Sequence, residues 1–463
     1  MSLCKDVGVA DVERIFKAYD IRGLVPSQLD ELLARDIGAA FAAEVSGSSR
    51  HDAVVIGHDM RTSSPGLAGA VADGVRSHGT DVVMIGLAST DMLYFASGSL
   101  GLAGAMVTAS HNPAGYNGIK LCRPGAVAMS AETGLDAIRR RLDHAGQGVT
   151  ASSEGTLERR DLLEPYAAYL KALVPVSGRR LHVVVDAANA MAGLTAPAVF
   201  AGMDLELTPL YFELDGTFPH HEANPLEPAN LVDLQHEVVR VGADLGLAFD
   251  GDADRCFVVD EQGRVVSPSA LTALIAVREL ARQPGAHVIH NLITSRAVPE
   301  TIERHGGVPV RTKVGHSLIK ATMARTNAVF GGEHSGHYYF RDFWYADSGM
   351  LAALHLMAAL AATPEPVSAL VAGYHPYAAS GEINATVTDV PAVLEAIATF
   401  FGSSDGVALD SLDGLTVTGP SWWFNVRPSN TEPVLRLNVE ADDAATMERI
   451  RDEVLSRIGS AHA

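Results

Sequence analysis

Residues 245–259 read LGLAFDGDADRCFVV, an acidic loop set between two apolar runs. Asp250, Asp252 and Asp254 alternate within the loop, and three carboxylates this close repel one another unless a cation holds them. Oxygen-only donors favour a hard ion such as Mg²⁺. A calcium loop of the helix–loop–helix type is the rival, because Glu261 falls where its last ligand would stand. That motif needs glycine where Arg255 stands, and it needs helices on both flanks. The flanks here, Leu245–Phe249 and Phe257–Val259, are short and apolar, so the loop is expected to join two buried strands.

The same pattern recurs along the chain. Short apolar runs at 53–56, 82–85 and 104–107 are each bounded by Gly, Asp or Ser. HVVVDAANA (182–190), HVIHNLITS (287–295) and VPVRTKVGHS (308–317) read as strands ending in polar loops. SQLDELLARDIGAAFAAEV (27–45) reads as a helix with Ser27 as candidate N-cap and with Leu29, Leu32, Leu33, Ile37 and Phe41 on one face. Buried strands alternating with helices predict α/β layers. No close sequence repeat is visible, yet three units of roughly 100–150 residues fit the length. The Pro-bearing stretch ATPEPVSALVAGYHPY (362–377) marks a boundary. Beyond it, strand patterns at 383–387, 415–418, 422–426 and 434–439 are placed between two helices, the last carrying Met447, Ile450, Val454 and Ile458 on one stripe. The expected fold is α/β: three α/β domains (1–150, 151–264 and 265–374) followed by a C-terminal α+β domain (375–463).

Composition narrows the function classes. The chain has 463 residues, 35 basic against 55 acidic, for a formal charge of −20. That balance argues against a nucleic-acid coat and against anionic membrane surfaces, while leaving room for a small basic pocket for an anionic metabolite. Cys4, Cys122 and Cys256 form no CxxC pair and no disulfide framework, so a reducing cytoplasm is the expected location. The opening MSLCKDVGVADVERIF carries charges throughout, and no secretory leader is expected there. The longest apolar run, 350–362, contains His355 and is too short to cross a bilayer.

Residues 108–113 read TASHNP. Ser110 beside Asn-Pro is either a turn former or a nucleophile. GYNGIK (115–120) brings Lys120 close behind it. A serine, a lysine and an acidic metal loop make sense together if the serine carries a phosphoryl group. Phosphoserine contributes about −2 at neutral pH, so with three aspartates and one divalent ion the site remains about −3. Cations are then expected nearby: Lys120, Arg255, and Arg22 from AYDIRG. A metal there would withdraw charge from the phosphoryl group. GGEHSGH (331–337) offers a carboxylate for sugar hydroxyls and, in His337, a proton shuttle, though it also fits an ordinary polar turn. RPSNTEP (427–433) presents Arg427, Ser429, Asn430 and Thr431 as phosphate donors, or is a Pro-bounded hairpin.

Taken in this order, TASHNP, DGDADR, GEHSGH and RPSNTEP resemble the motifs of the α-D-phosphohexomutase superfamily, and within it the bacterial phosphomannomutase/phosphoglucomutase branch. YDIRG, DGTFPHHEANPLEP, KVGHSLIK and SGEIN extend the resemblance essentially from end to end. It implies four domains around a central cleft, three of them related α/β units. It implies that Ser110 is the phosphoserine, and that Asp250, Asp252 and Asp254 bind Mg²⁺ together with the phosphate on Ser110. By the same likeness Lys120 is a general-base candidate and Arg255 supports the metal loop and substrate. Glu333 and Ser335 would contact sugar hydroxyls, with His337 as a proton-transfer partner. Arg427, Ser429, Asn430 and Thr431 would grip the phosphate not being transferred, and Tyr19, Arg22, Lys313 and His316 match further substrate-facing positions.

The implied reaction interconverts hexose 1-phosphate and hexose 6-phosphate, of mannose, glucose or both, with hexose 1,6-bisphosphate as intermediate and activator. Phosphoglucosamine mutase is the nearest alternative, although GEQSGH and DGDGDR are typical there. A metal-dependent sugar phosphatase and a non-catalytic sugar-phosphate-binding relative are the others. The implied partners are small sugar phosphates, with neither nucleic acid nor membrane, and no oligomeric state follows. Two departures stand out: GHDMR has His58 where the family carries arginine, and DAANAMAG has Ala190 where glycine is common.

Overall fold

The computed structural model describes residues 9–46, 53–142, 153–387, 389–428 and 434–460. They fall into two compact units, Met1–Pro268 with Ser335–Leu370, and Ser269–His334 with Val371–Ala463.

In the first unit, Ala53–His58 is the central strand of the N-terminal sheet. Asp81–Leu87 pairs with it in parallel on one side and Ala103–Val107 in parallel on the other. Tyr116–Arg123 then adds antiparallel to Ala103–Val107. The second sheet repeats this order. Leu181–Asp186 is central, Leu205–Leu210 is parallel on one side, and Leu245–Phe249 is parallel on the other. Cys256–Asp260 follows as an antiparallel neighbour. The second unit shows the same start: Val308–Thr312 and Phe330–Gly332 flank His287–Asn291, both parallel. Three modules without visible sequence repetition therefore share one chain path. In each, the third strand lands on the opposite side of the first from the second. Such a reversal leaves a crevice at the carboxyl ends of the strands, where loops collect ligands.

The residues explain the layers. Val54, Val55, Ile56, Ala105, Met106 and Val107 are all fully buried, as expected of parallel strands covered on both faces. Helix Gly349–Ala361 is the longest apolar run and is buried on nearly every side. It is an interior helix of the first unit, and no helix among the described residues is long and apolar enough to cross a membrane.

The first expected helix needs correction. It begins at Glu31, and its cap is Asp30, whose carboxylate accepts from the Leu33 N–H at 2.9 Å. Ser27 stays in the preceding turn. The later start rotates the apolar face: Leu29 is buried ahead of the helix, while Leu32 is 74% exposed.

The C-terminal sheet is antiparallel throughout, in the order Ala378–Thr386, Val434–Ala441, Trp422–Pro428, Leu415–Thr418, Ala408–Asp410. Its strands do not all lie between two helices, as the sequence suggested. Helix Val390–Gly402, capped by Asp389, intervenes after the first strand, and Ala408–Asp410 is an additional short strand. Alternation gives the sheet one dry face. Leu435, Leu437, Val439, Phe424 and Val426 pack against Val393, Ile397, Phe401 and the stripe Met447, Ile450, Val454 and Ile458. By the same period of two, Trp423, Asn425, Arg427, Arg436, Asn438 and Glu440 occupy the other face.

Candidate active site

The residues of interest in the first unit sit at the ends of third strands. Ser110 follows Ala103–Val107, and the acidic loop follows Leu245–Phe249. Ser110 is buried in the left-handed region at φ 49°, and its N–H donates to Thr108 Oγ1 at 3.0 Å. Its Oγ donates to Asp250 Oδ2 at 2.7 Å. With its proton committed there, Oγ accepts from His111 Nδ1 at 3.1 Å. Burial, then the Arg255 and Arg22 charges, hold His111 well below the usual imidazole range, in keeping with a neutral ring.

Asp250, Asp252 and Asp254 are fully or almost fully buried, and each can offer one oxygen within 4.8 Å of the others. Lys120 Nζ bridges Asp252 Oδ2 and Asp254 Oδ2, both at 2.6 Å. Burial disfavours the ammonium, but the two carboxylates outweigh it and raise the lysine pKa. Burial also opposes ionisation of Asp254, yet Lys120, His337 and Arg255 prevail and hold it well below the usual carboxylate range. Asp250 goes the other way: burial, then Asp254 and Asp252, push it well up. The cluster is short of positive charge, and Asp252 Oδ1 and Asp254 Oδ1 are buried without a hydrogen bond. A hard divalent cation suits this set of donors. The flanks are strands, which disposes of the calcium-loop alternative.

Arg255, next after Asp254, and His337, bridged to it from another segment, close the group. Arg255 N–H donates to Asp250 Oδ1 at 3.1 Å, and Arg255 Nε donates to His337 Nε2 at 3.2 Å. His337 Nδ1 meets Ser335 Oγ at 2.9 Å. His337 Nε2 also lies 3.5 Å from Asp254 Oδ1. The structure thus brings together Ser110, Lys120, the three aspartates, Arg255, Ser335 and His337. Arg22 joins through Asn112, whose side-chain carbonyl accepts from its guanidinium, and Tyr19 lies half-buried in the bend just before.

The remaining expected residues belong to the second unit. Glu333 follows its third strand and is buried; its Oε1 accepts from Asn291 Nδ2 at 3.3 Å and from the Gly315 N–H at 3.4 Å. The latter bond ties it to the loop carrying the exposed Lys313, and His316 opens the helix that follows. Arg427 is buried near the end of Trp422–Pro428. Ser429, Asn430 and Thr431 lie outside the described residues.

Several contributors escaped the sequence reading. Arg61 is the largest fully buried side chain near the serine loop. Its Nη2 donates to the carbonyls of Ser110 (2.8 Å) and Asn112 (2.6 Å), and its Nη1 to those of Pro113 (2.8 Å) and Tyr116 (3.0 Å). Asp59 balances its charge 3.2 Å from Nε. One guanidinium thereby folds the TASHNP loop around itself. Thr90 anchors the acidic loop: its N–H and hydroxyl donate to Asp252 O at 2.9 Å and Asp252 Oδ2 at 2.5 Å. Next to it, Asp91 accepts from Ser89, from Tyr166 (2.7 Å) and from Ser348 (2.7 Å), and burial pushes its pKa up to about 6. The signal for Arg61 was its place just past the end of a central strand. The two departures leave the group standing: His58 bonds through Nδ1 to the Asp59 carbonyl at 2.9 Å, and Ala190 is buried in a tight turn.

Lysine in place of Arg61 keeps a charge beside Asp59 but brings three donors where the guanidinium has five. Arg61→Lys is expected to lower stability by about 1–3 kcal/mol through unpaired buried carbonyls, measured by urea unfolding.

The chain matches known proteins over nearly its whole length. Phosphoglucomutase/phosphomannomutase alpha/beta/alpha domains I, II and III match residues 13–148, 164–263 and 267–377, and the C-terminal domain of that family matches 382–457. Phosphohexose mutases of Xanthomonas campestris pv. campestris are 42% identical over 446 residues, covering 95% of this chain and 98% of theirs. Phosphomannomutase/phosphoglucomutase of Pseudomonas syringae pv. tomato is 38% identical, with 95% and 94% covered. A crystal structure of a phosphoglucomutase/phosphomannomutase family protein from Burkholderia thailandensis superposes with a TM-score of 0.89 at 36% identity, over 97% of this chain and 98% of that one. The chain belongs to the phosphoglucomutase/phosphomannomutase family.

Proposed function

We propose that this protein interconverts hexose 1-phosphates and hexose 6-phosphates, of mannose, glucose or both, through a phosphoserine at Ser110. The carrying observation is the buried Ser110 hydroxyl, 2.7 Å from Asp250 in a triplet of carboxylates short of counter-charge. Asp250, Asp252 and Asp254 would hold Mg²⁺, which when bound supplies Lewis-acid stabilisation of phosphoryl charge.

In the forward half-reaction the P–O bond to Ser110 Oγ breaks and a P–O bond to the free sugar hydroxyl forms, giving hexose 1,6-bisphosphate. The hydroxyl proton passes to His337, because Lys120 Nζ is already an ammonium between Asp252 and Asp254 and has no lone pair to take it. After the intermediate turns over, Ser110 Oγ takes the other phosphoryl group and the proton returns to the oxygen left behind. The positive charge of Lys120 suits that return step. Arg255 orients His337, Glu333 and Ser335 receive sugar hydroxyls, and Arg427 with Ser429, Asn430 and Thr431 holds the phosphate not in transit. Tyr19, Arg22, Lys313 and His316 complete the contacts to substrate. Positioning and charge stabilisation carry most of the rate in such a transfer.

A coupled assay with mannose 1-phosphate and glucose 1-phosphate tests this, run with and without Mg²⁺ and a hexose 1,6-bisphosphate. Isomerised sugar phosphate, dependent on Mg²⁺ and stimulated by the bisphosphate, is expected. Release of free phosphate in its place would replace the mutase reading with a phosphatase.

A further inference from the structure

On the polar face of the C-terminal sheet, Arg427 is part of a wider charge arrangement. Arg427 and Arg436 are direct cross-strand partners on Trp422–Pro428 and Val434–Ala441. Like charges directly opposite one another destabilise a sheet. Glu382, on the strand at the other side of Val434–Ala441, relieves them: its Oε2 accepts from Arg427 Nη2 at 3.0 Å, and its Oε1 lies 3.3 Å from Arg436 Nη1. The Arg427 side chain is only 6% exposed, whereas those of Glu382 and Arg436 are about a quarter exposed, at 27% and 26%. Arg427 Nε is buried and makes no hydrogen bond. Asp413 and the His334 ring are further titratable groups facing this trio.

We propose that Glu382 is a built-in counter-ion that sets how tightly this face grips a phosphate dianion. It spaces the two guanidinium groups and neutralises one of their two charges, leaving Arg427 able to bind phosphate but also to release it. The inference rests on the reading of Arg427 as a phosphate ligand. It follows from what the cycle demands. The bisphosphate must turn over between the two transfers, so the same grip must let go of one phosphate and take the other. Two unopposed guanidinium groups in a partly buried setting would hold a dianion too firmly for that exchange.

The test uses the full-length protein and the isosteric variant Glu382→Gln, which keeps the shape and removes the charge. Inorganic phosphate is the probe in calorimetry, and mutase kinetics are measured in parallel. Glu382→Gln is expected to bind phosphate about tenfold more tightly, a shift of roughly 1.4 kcal/mol. KM and kcat are expected to fall together, because release slows while capture does not; a merely structural role would not tighten binding. Unchanged or weaker phosphate binding by a folded Glu382→Gln protein overturns the proposal. Arg427→Ala separates the two levels of the argument. If that variant binds phosphate as tightly as the native protein, Arg427 is not a phosphate ligand and the underlying reading fails first.

Discussion

Ser110→Ala protein is expected to fold normally and to retain less than about one part in 10⁴ of the native mutase rate, since deleting a covalent nucleophile commonly costs more than that. The loop does not depend on the hydroxyl for its shape. Its backbone is fixed by the four carbonyl contacts to Arg61 and by Thr108. The left-handed conformation at φ 49° is no more strained for alanine than for serine. What disappears is the one oxygen that lies both on this loop and within 2.7 Å of the acidic triplet. Circular dichroism and thermal unfolding should match the native protein, and intact-mass analysis after incubation with a hexose 1,6-bisphosphate should find no phosphorylated serine. Native-like turnover by this variant would remove Ser110 as nucleophile.

Gly251→Ala is expected to cost nearly as much, for a geometric reason. A Cβ at this position would stand 2.2 Å from the Ser110 carbonyl oxygen and 3.0 Å from its carbonyl carbon. Both atoms are backbone, and that oxygen is already held by Arg61. The serine loop and the acidic loop must therefore separate. Displacement of about 1 Å between reacting groups costs roughly 100-fold in rate, so kcat is expected to fall at least that far. Overpacking at a buried contact adds about 1–3 kcal/mol of destabilisation. Steady-state kinetics with a parallel denaturant titration check both numbers. A variant with native kcat would show that the two backbones need not approach so closely.

The two loops at the heart of the site were legible because their chemistry is local. DGDADR places three carboxylates in five residues, and TASHNP places a hydroxyl where a strand gives way to a turn. The strands around them were legible too, since Leu245–Phe249 and Cys256–Asp260 are apolar and fully buried. Arg61 was not, because nothing near it in sequence shows that its guanidinium will collect carbonyls from 110, 112, 113 and 116. Thr90 was invisible for the same reason: its partner, Asp252, is far away along the chain. Helix Val390–Gly402 is apolar along most of VPAVLEAIATFFG, and the structure shows that Val393, Ile397 and Phe401, four residues apart, are its buried stripe. Ser27 looked like a cap because it precedes a leucine-rich run, but Asp30 is the residue whose carboxylate reaches a free N–H. Nothing in SGEIN marks the partners of Glu382, since they depend on which strands lie beside it.

The first unit is discontinuous in sequence: it takes Ser335–Leu370 back after the chain has built Ser269–His334. The returning piece supplies the buried helix Gly349–Ala361, the Ser348 hydroxyl on Asp91, and Trp344, whose ring stacks 5.2 Å from Tyr169. During synthesis, then, the N-terminal half waits. At about 5–20 residues per second, several seconds separate the emergence of Pro268 from that of the segment that seals its interior. For that interval the first unit lacks the helix that fills its interior, and the apolar side chains that pack on Gly349–Ala361 stay open to water.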